Sequence, residues 1–187
     1  PMLRWIVDSR EAIMASTIKR KARCRQLAAI IACFGCLLFI SQAQAAPPEG
    51  YDFLSYDAAM THARQQEKLV FLYFRRYGCS TCPKMHQEVF SDDEIMQRYN
   101  EHYILAYVDT ESGERLTLPN SERITEMQFA SRMRILGTPT FYFLTPDERP
   151  LVKLAGFKSI EGMKQYDDFV YGGHYGSQSF KEYVGSR

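Results

Sequence analysis

The sequence predicts an α/β fold in which a central mixed β-sheet is flanked by helices on both faces. The apolar run at residues 69–74 is uninterrupted, which indicates a strand buried on both sides. Helical patterns at residues 56–67 and 84–90 precede and follow it. Residues 140–144 and 151–155, joined by a turn, predict the antiparallel strands that complete such a sheet.

The remaining elements in the first half follow in order. Ser55 is placed to cap the helix before the central strand. Pro83 lies early in the next helix, where its missing N–H would have no intrahelical partner. Ser91 with Glu94 predicts a capping box, and residues 103–108 predict the next strand.

The second half contains a short excursion and two further helices. Residues 110–120 are polar and carry turn residues, so we expect a short excursion rather than a domain. Thr125 with Gln128 predicts a capped helix. Ser159 is placed to start a terminal helix, and another helical turn is expected near residues 179–183.

Residues 1–45 are predicted to be upstream residues and a secretory signal peptide. A basic start at residues 19–25 precedes an apolar run at residues 27–40, and Ala43-Gln44-Ala45 fits a small-x-small cleavage site. The run is too short to span a bilayer comfortably. Met14 is the expected start of translation, and residues 46–187 are expected to form one exported domain.

The charge of the predicted exported domain differs from that of the whole chain. The leader holds seven of the 23 Lys and Arg residues and two of the 22 Asp and Glu residues. The remainder therefore has 16 basic and 20 acidic side chains, a net charge of −4. A mildly acidic domain without a Lys/Arg tract gives no electrostatic reason to expect nucleic-acid binding.

Two of the five cysteines, Cys79 and Cys82, lie outside the leader. They are spaced for thiol–disulfide chemistry between a strand and a helix N-terminus, where a thiolate is favoured. Cys79 is expected to be the exposed nucleophile and Cys82, one turn deeper, the resolving thiol. A metal site is the alternative, although Cys79, Cys82 and His86 supply only three of the four ligands that structural zinc requires. In the leader, residues 30–33 also loosely fit the lipoprotein cleavage pattern.

Two motifs together resemble the thioredoxin superfamily. Gly78-Cys79-Ser80-Thr81-Cys82 is followed about 57 residues later by Gly137-Thr138-Pro139-Thr140. In that superfamily a Cys-x-x-Cys at the start of a helix faces a loop with a cis-proline. The resemblance implies a thioredoxin-like fold. Within the superfamily, Met85-His86, residues 108–121 and residues 171–183 are similar to the periplasmic SoxW-like group.

The resemblance also implies roles for residues around the cysteine pair. Pro139 would be held cis so that the Thr138 backbone can pair with an incoming peptide as an added strand. Tyr77 would form an apolar rim beside the thiol, and Gly156-Phe157 would form a third peptide-contacting loop.

One position departs from the family. Many thioredoxins carry a buried aspartate six residues before the first cysteine, whereas this chain has Tyr73 there. The proton acceptor for Cys82 would then be water or another group, such as Glu88 or His86. Arg75 and Arg76 could lower the pKa of the thiol by their charge or be solvated residues at the loop edge.

The sequence thus predicts a periplasmic thiol–disulfide oxidoreductase with no cofactor beyond the redox-active Cys79–Cys82 pair. Exported proteins with disulfides are the expected partners, and a membrane-embedded donor would resupply electrons. A reductant is favoured because Ser80 and Thr81 place no charge between the cysteines. A disulfide oxidase or isomerase and a copper-handling module are the alternatives.

Overall fold

The structure, a computed structural model, describes residues 47–186 and contains a five-stranded mixed sheet. The strands of both sheets are β1 (Leu54–Ser55), β2 (Val70–Arg75), β3 (Ile104–Asp109), β4 (Arg115–Thr117), β5 (Arg123–Thr125), β6 (Thr140–Leu144) and β7 (Pro150–Ala155). The main sheet has the order β1-β3-β2-β6-β7. Its first three strands are parallel, while β6 and β7 run antiparallel, and β4 and β5 form a separate hairpin.

Six α-helices and one short 3₁₀ helix accompany the strands in the described part of the chain. The α-helices are α1 (Tyr56–Gln66), α2 (Cys82–Glu88), α3 (Asp93–His102), α4 (Glu126–Arg132), α5 (Ile160–Tyr171) and α6 (Phe180–Gly185). Helices α1 and α4 pack on one face of the main sheet, and α2, α3, α5 and α6 pack on the other. No helix within residues 47–186 is both long enough and apolar enough to cross a membrane.

Alternation along β2 divides the core between the two faces. Phe71 and Tyr73 join the cluster beneath α2, α3 and α5, whereas Leu72 and Phe74 join the cluster beneath α1 and α4. Each is completely buried. Burial of such a side chain contributes about 1.5–3 kcal/mol. The apolar run therefore contributes to the core on both faces of the sheet. A mixed sheet covered by helices on both faces confirms the predicted fold class.

Two predicted helix caps are wrong in detail. Ser91 does not cap α3, because its hydroxyl donates to the Gln87 carbonyl while the Asp92 carboxylate accepts from the Ile95 N–H. Ser55 occupies the N-cap of α1 but donates its hydroxyl to Asp57 instead of accepting from the helix. In both places the serine hydroxyl donates to a nearby oxygen and does not accept from a helix N–H. The predicted boxes or caps at α4 and α5 are confirmed.

The predicted excursion at residues 110–120 is the start of the β4–β5 hairpin, which returns directly into α4. The short strand β1, parallel to β3, was not predicted, because two residues carry no periodic pattern. The predicted leader lies outside the described residues.

A buried carboxylate joins α3 to α5. Asp167 is 1% exposed and accepts hydrogen bonds from the Tyr103 hydroxyl and the Arg98 guanidinium. Nδ1 of His102 lies 2.8 Å from Asp167 Oδ1, the same oxygen that accepts from Tyr103. This cluster lies where β3 begins. Since β2 and β3 are parallel, it is at the opposite end of the sheet from the loop that carries the cysteines.

Candidate active site

The cysteine pair lies between the C-terminal end of β2 and the first turn of α2. Cys79 and Cys82 are joined by a disulfide. Cys79 retains 7% of its surface, whereas Cys82 is completely buried. Cys79 is therefore the less buried of the two residues, in line with their places along the helix.

Two hydrogen-bond donors lie near Cys79. The Cys82 backbone N–H donates to Cys79 Sγ at 3.2 Å. The Thr81 hydroxyl lies 4.0 Å from the same sulfur and donates to the Thr138 carbonyl at 3.4 Å. A thiolate at Cys79 would thus have one backbone donor in place and one hydroxyl within reach.

The Thr138–Pro139 loop lies directly beside the cysteine pair, and its peptide bond is cis. The Pro139 carbonyl accepts from the Gly156 N–H at 2.8 Å, which brings the Gly156-Phe157 loop next to it. Among the described residues, the buried Thr138 hydroxyl has no hydrogen-bond partner. The structure therefore assembles the two loops that the sequence predicted to contact a peptide.

Apolar side chains stand exposed around this loop. Leu136 is 99% exposed and Tyr77 is 70% exposed. A cavity of about 240 Å³, lined in part by Arg76, Leu136 and Thr138, opens beside the loop. On the other side, the Lys84 ammonium lies 4.6 Å from the centre of the Phe157 ring. Leu136 was not among the residues predicted from the sequence.

Tyr73 occupies the family's acidic position and pairs with His86. The Tyr73 hydroxyl lies 3.1 Å from His86 Nε2. Burial, with a further contribution from the Arg75 charge, lowers the pKa of His86 to about 4. Burial also raises the pKa of Tyr73. Both groups are therefore neutral at pH 7. The sequence did not predict this pair, although His86 lies one turn after Cys82 on α2.

The other charged residues that the sequence offered as groups acting on the thiols, Arg75, Arg76 and Glu88, interact with other side chains. The charge of Arg75 acts on His86 and on Tyr107 of β3. Arg76 is exposed and pairs with Glu111 at 3.4 Å. Glu88 is exposed and pairs with Lys84 at 3.8 Å. The described residues include no group of three or more His, Cys, Asp or Glu side chains arranged to hold a metal ion.

Comparison with known proteins agrees with this geometry. The sequence pattern of the Thioredoxin-like domain family matches residues 56–170, which include the cysteine pair and the Pro139 loop. The chain belongs to this family. No protein with a curated description matches it.

Solved structures show the same fold at low identity. A thioredoxin from Thermus thermophilus is 24% identical with a TM-score of 0.56, covering 68% of this chain and 94% of its own. A thioredoxin-fold protein from Helicobacter pylori is 18% identical with a TM-score of 0.56, and the match covers 65% of this chain and 84% of the Helicobacter chain. A putative disulphide-isomerase from Bacteroides thetaiotaomicron is 23% identical with a TM-score of 0.52, covering 67% and 97%.

Proposed function

We propose that the protein is a periplasmic thiol–disulfide oxidoreductase that reduces disulfides of other exported proteins. One observation carries the proposal: Cys79, the less buried partner of the Cys79–Cys82 disulfide, lies near the Thr81 hydroxyl that donates to the Thr138 main chain. A reactive sulfur next to the main chain of such a loop suits the attack on a disulfide in an extended protein segment.

The reaction has two exchange steps. The Cys79 thiolate attacks one sulfur of the partner's disulfide, that S–S bond breaks, and the partner's second sulfur leaves as a thiolate. Cys82, once deprotonated, then attacks Cys79 Sγ and displaces the partner's first sulfur. Two electrons pass to the partner, and the protein is left with the Cys79–Cys82 disulfide that the structure contains.

The proton of Cys82 ends on a partner thiolate or in solvent. His86 is a poor acceptor because its pKa is about 4. A thiol of ordinary pKa, about 8.5, would lose several kcal/mol in giving it a proton, since each pKa unit corresponds to about 1.4 kcal/mol. The partner's departing thiolate is a much stronger base than this imidazole, so we assign the transfer to it.

The direction and the compartment rest on the sequence. The basic and apolar leader supports export, and the similarity to the SoxW-like group supports a role in keeping exported cysteines reduced. A membrane-embedded donor would then return electrons to the pair. Ser80 and Thr81 are uncharged, so they do not stabilise the thiolate as strongly as a cation would, which favours a reductant.

The redox potential tests the direction. We expect a value more negative than about −200 mV on equilibration with glutathione, on the scale where thioredoxin lies near −270 mV and DsbA near −120 mV. A value above about −160 mV would assign the protein to the oxidases or isomerases. Tight stoichiometric copper on protein purified under reducing conditions would instead support the metal-handling alternative, in which Cys79, Cys82 and His86 bind the ion.

A further inference from the structure

Thr81 lies between the sulfur that reacts and the main chain that would hold the partner. Its hydroxyl oxygen is 3.4 Å from the Thr138 carbonyl oxygen and 4.0 Å from Cys79 Sγ. Neither distance is short for a hydrogen bond from a hydroxyl. The side chain is exposed, so no packing fixes it in one position.

We propose that the Thr81 hydroxyl changes its hydrogen-bond acceptor with the redox state of the cysteine pair. In the disulfide form it donates to the Thr138 carbonyl, and in the thiolate form it donates to Cys79 Sγ. Thr81 is thus a positioning residue that links the chemistry of Cys79 to the binding edge at Thr138. The inference rests on the proposed function, because it assigns a regulatory contact within that site.

The choice of acceptor follows from charge. A hydroxyl has one hydrogen to donate. The sulfur of a disulfide is neutral and a weak acceptor, so the carbonyl is the better partner in the oxidised protein. Once Cys79 is a thiolate, a charge-assisted hydrogen bond to it is roughly twice as strong as a neutral one. The same hydrogen is then drawn to the sulfur, and the Thr138 carbonyl loses its donor.

The exchange changes what the Thr138 edge offers to a partner. A carbonyl oxygen has two lone pairs, so Thr81 weakens pairing with an incoming N–H without preventing it. The reduced protein, which must capture a partner, has the unoccupied carbonyl. The oxidised protein, which must release the product, has the carbonyl engaged by Thr81. Reduction should therefore strengthen peptide binding.

The first test measures the pKa of Cys79 from the ultraviolet absorbance of its thiolate. Thr81→Val keeps the shape of the side chain and removes the hydroxyl, and it should raise the pKa by about half to one unit, a three- to tenfold change in ionisation. Thr81→Ser should restore the wild-type value. Ser80→Ala, the neighbouring hydroxyl, should leave it unchanged. A wild-type pKa in Thr81→Val, or an equal shift in Ser80→Ala, overturns the proposal.

The second test compares peptide affinity in the two redox states. The probe is a fluorescent insulin B chain with alkylated cysteines, which can bind but cannot exchange disulfides. Wild-type protein should bind it at least about threefold more tightly when reduced, in line with the loss of one neutral hydrogen bond. Thr81→Val should bind it equally in both states.

Equal affinities of the wild-type protein in the two states, or a difference that persists in Thr81→Val, overturn the link to the binding edge. Turnover of intact insulin with dithiothreitol is measured in parallel and reports on the proposed function alone. A protein that reduces insulin but shows no Thr81 effect disproves this inference and leaves the proposed function standing. A protein that shows the expected Thr81 effect on the Cys79 pKa but reduces no insulin contradicts the proposed function and leaves the Thr81 contact standing.

Discussion

Tyr73 places a neutral phenol where many thioredoxins have a buried carboxylate. Its hydroxyl pairs with His86, and the ring packs against Phe90 and Phe141. No negative charge therefore lies at this strand position to attract the Cys82 proton or to oppose a thiolate at Cys79. The Cys82 proton must therefore leave with another base, which we assign to the partner's departing thiolate.

The low pKa of His86 predicts that stability falls in mild acid. The folded-state pKa is about 4, below the reference value of 6.5. Between these values the unfolded chain binds a proton that the native protein excludes, so stability declines as pH falls from about 6.5 to 4. Because His86 is only half-buried, solvent screening reduces the expected loss to about 1 kcal/mol. Urea unfolding across this pH range measures it.

His86→Asn is the control for this loss, since asparagine does not titrate. The free energy of unfolding of the variant should fall by about 1 kcal/mol less than that of the wild type between pH 6.5 and pH 4. Identical pH profiles for the two proteins would show that His86 titrates normally in the native state.

At the scale of elements, α4 leads into the loop that carries Thr138. Its capping box is complete: the Thr125 hydroxyl accepts from the Gln128 N–H, and the Gln128 side chain accepts from the Thr125 N–H. Thr125→Ala should lower the free energy of unfolding by about 1 kcal/mol. Denaturant unfolding measures this change, and Thr125→Ser should recover most of it. A neutral Thr125→Ala would mean that the box does not stabilise α4.

The contact between α3 and α5 offers a sharper comparison, because Arg98 binds two adjacent carboxylates. Asp167 is completely buried, whereas Asp168 is half-exposed. Asp167→Asn should lower the free energy of unfolding by about 3 kcal/mol, because it removes the buried negative charge that pairs with Arg98. Asp168→Asn should cost less than about 1 kcal/mol. Equal losses in urea unfolding would contradict the assigned role of burial.

For the molecule as a whole, the sequence predicts the sheet, its two covered faces and the position of the cysteine pair. The reason is that β2 is too apolar to be anything but a buried strand, and the two loop motifs are local. The individual side-chain hydrogen bonds across the site could not be predicted. The hydrogen bond from Thr81 to Thr138 joins residues 57 positions apart, and the Tyr73–His86 pair joins residues 13 positions apart. A periodic sequence pattern does not indicate contacts between residues so far apart in the chain.

The central claim is that Cys79 attacks and Cys82 resolves, and trapping of mixed disulfides tests it most directly. Cys82→Ser removes the resolving thiol, so it should accumulate partner proteins bound through Cys79 on non-reducing electrophoresis of cells expressing it. Cys79→Ser leaves Cys82, which is completely buried, as the remaining thiol of the pair and should accumulate few. The account predicts a clear excess of adducts for Cys82→Ser, all released by reductant. Equal trapping by the two variants, or none by either, would contradict it.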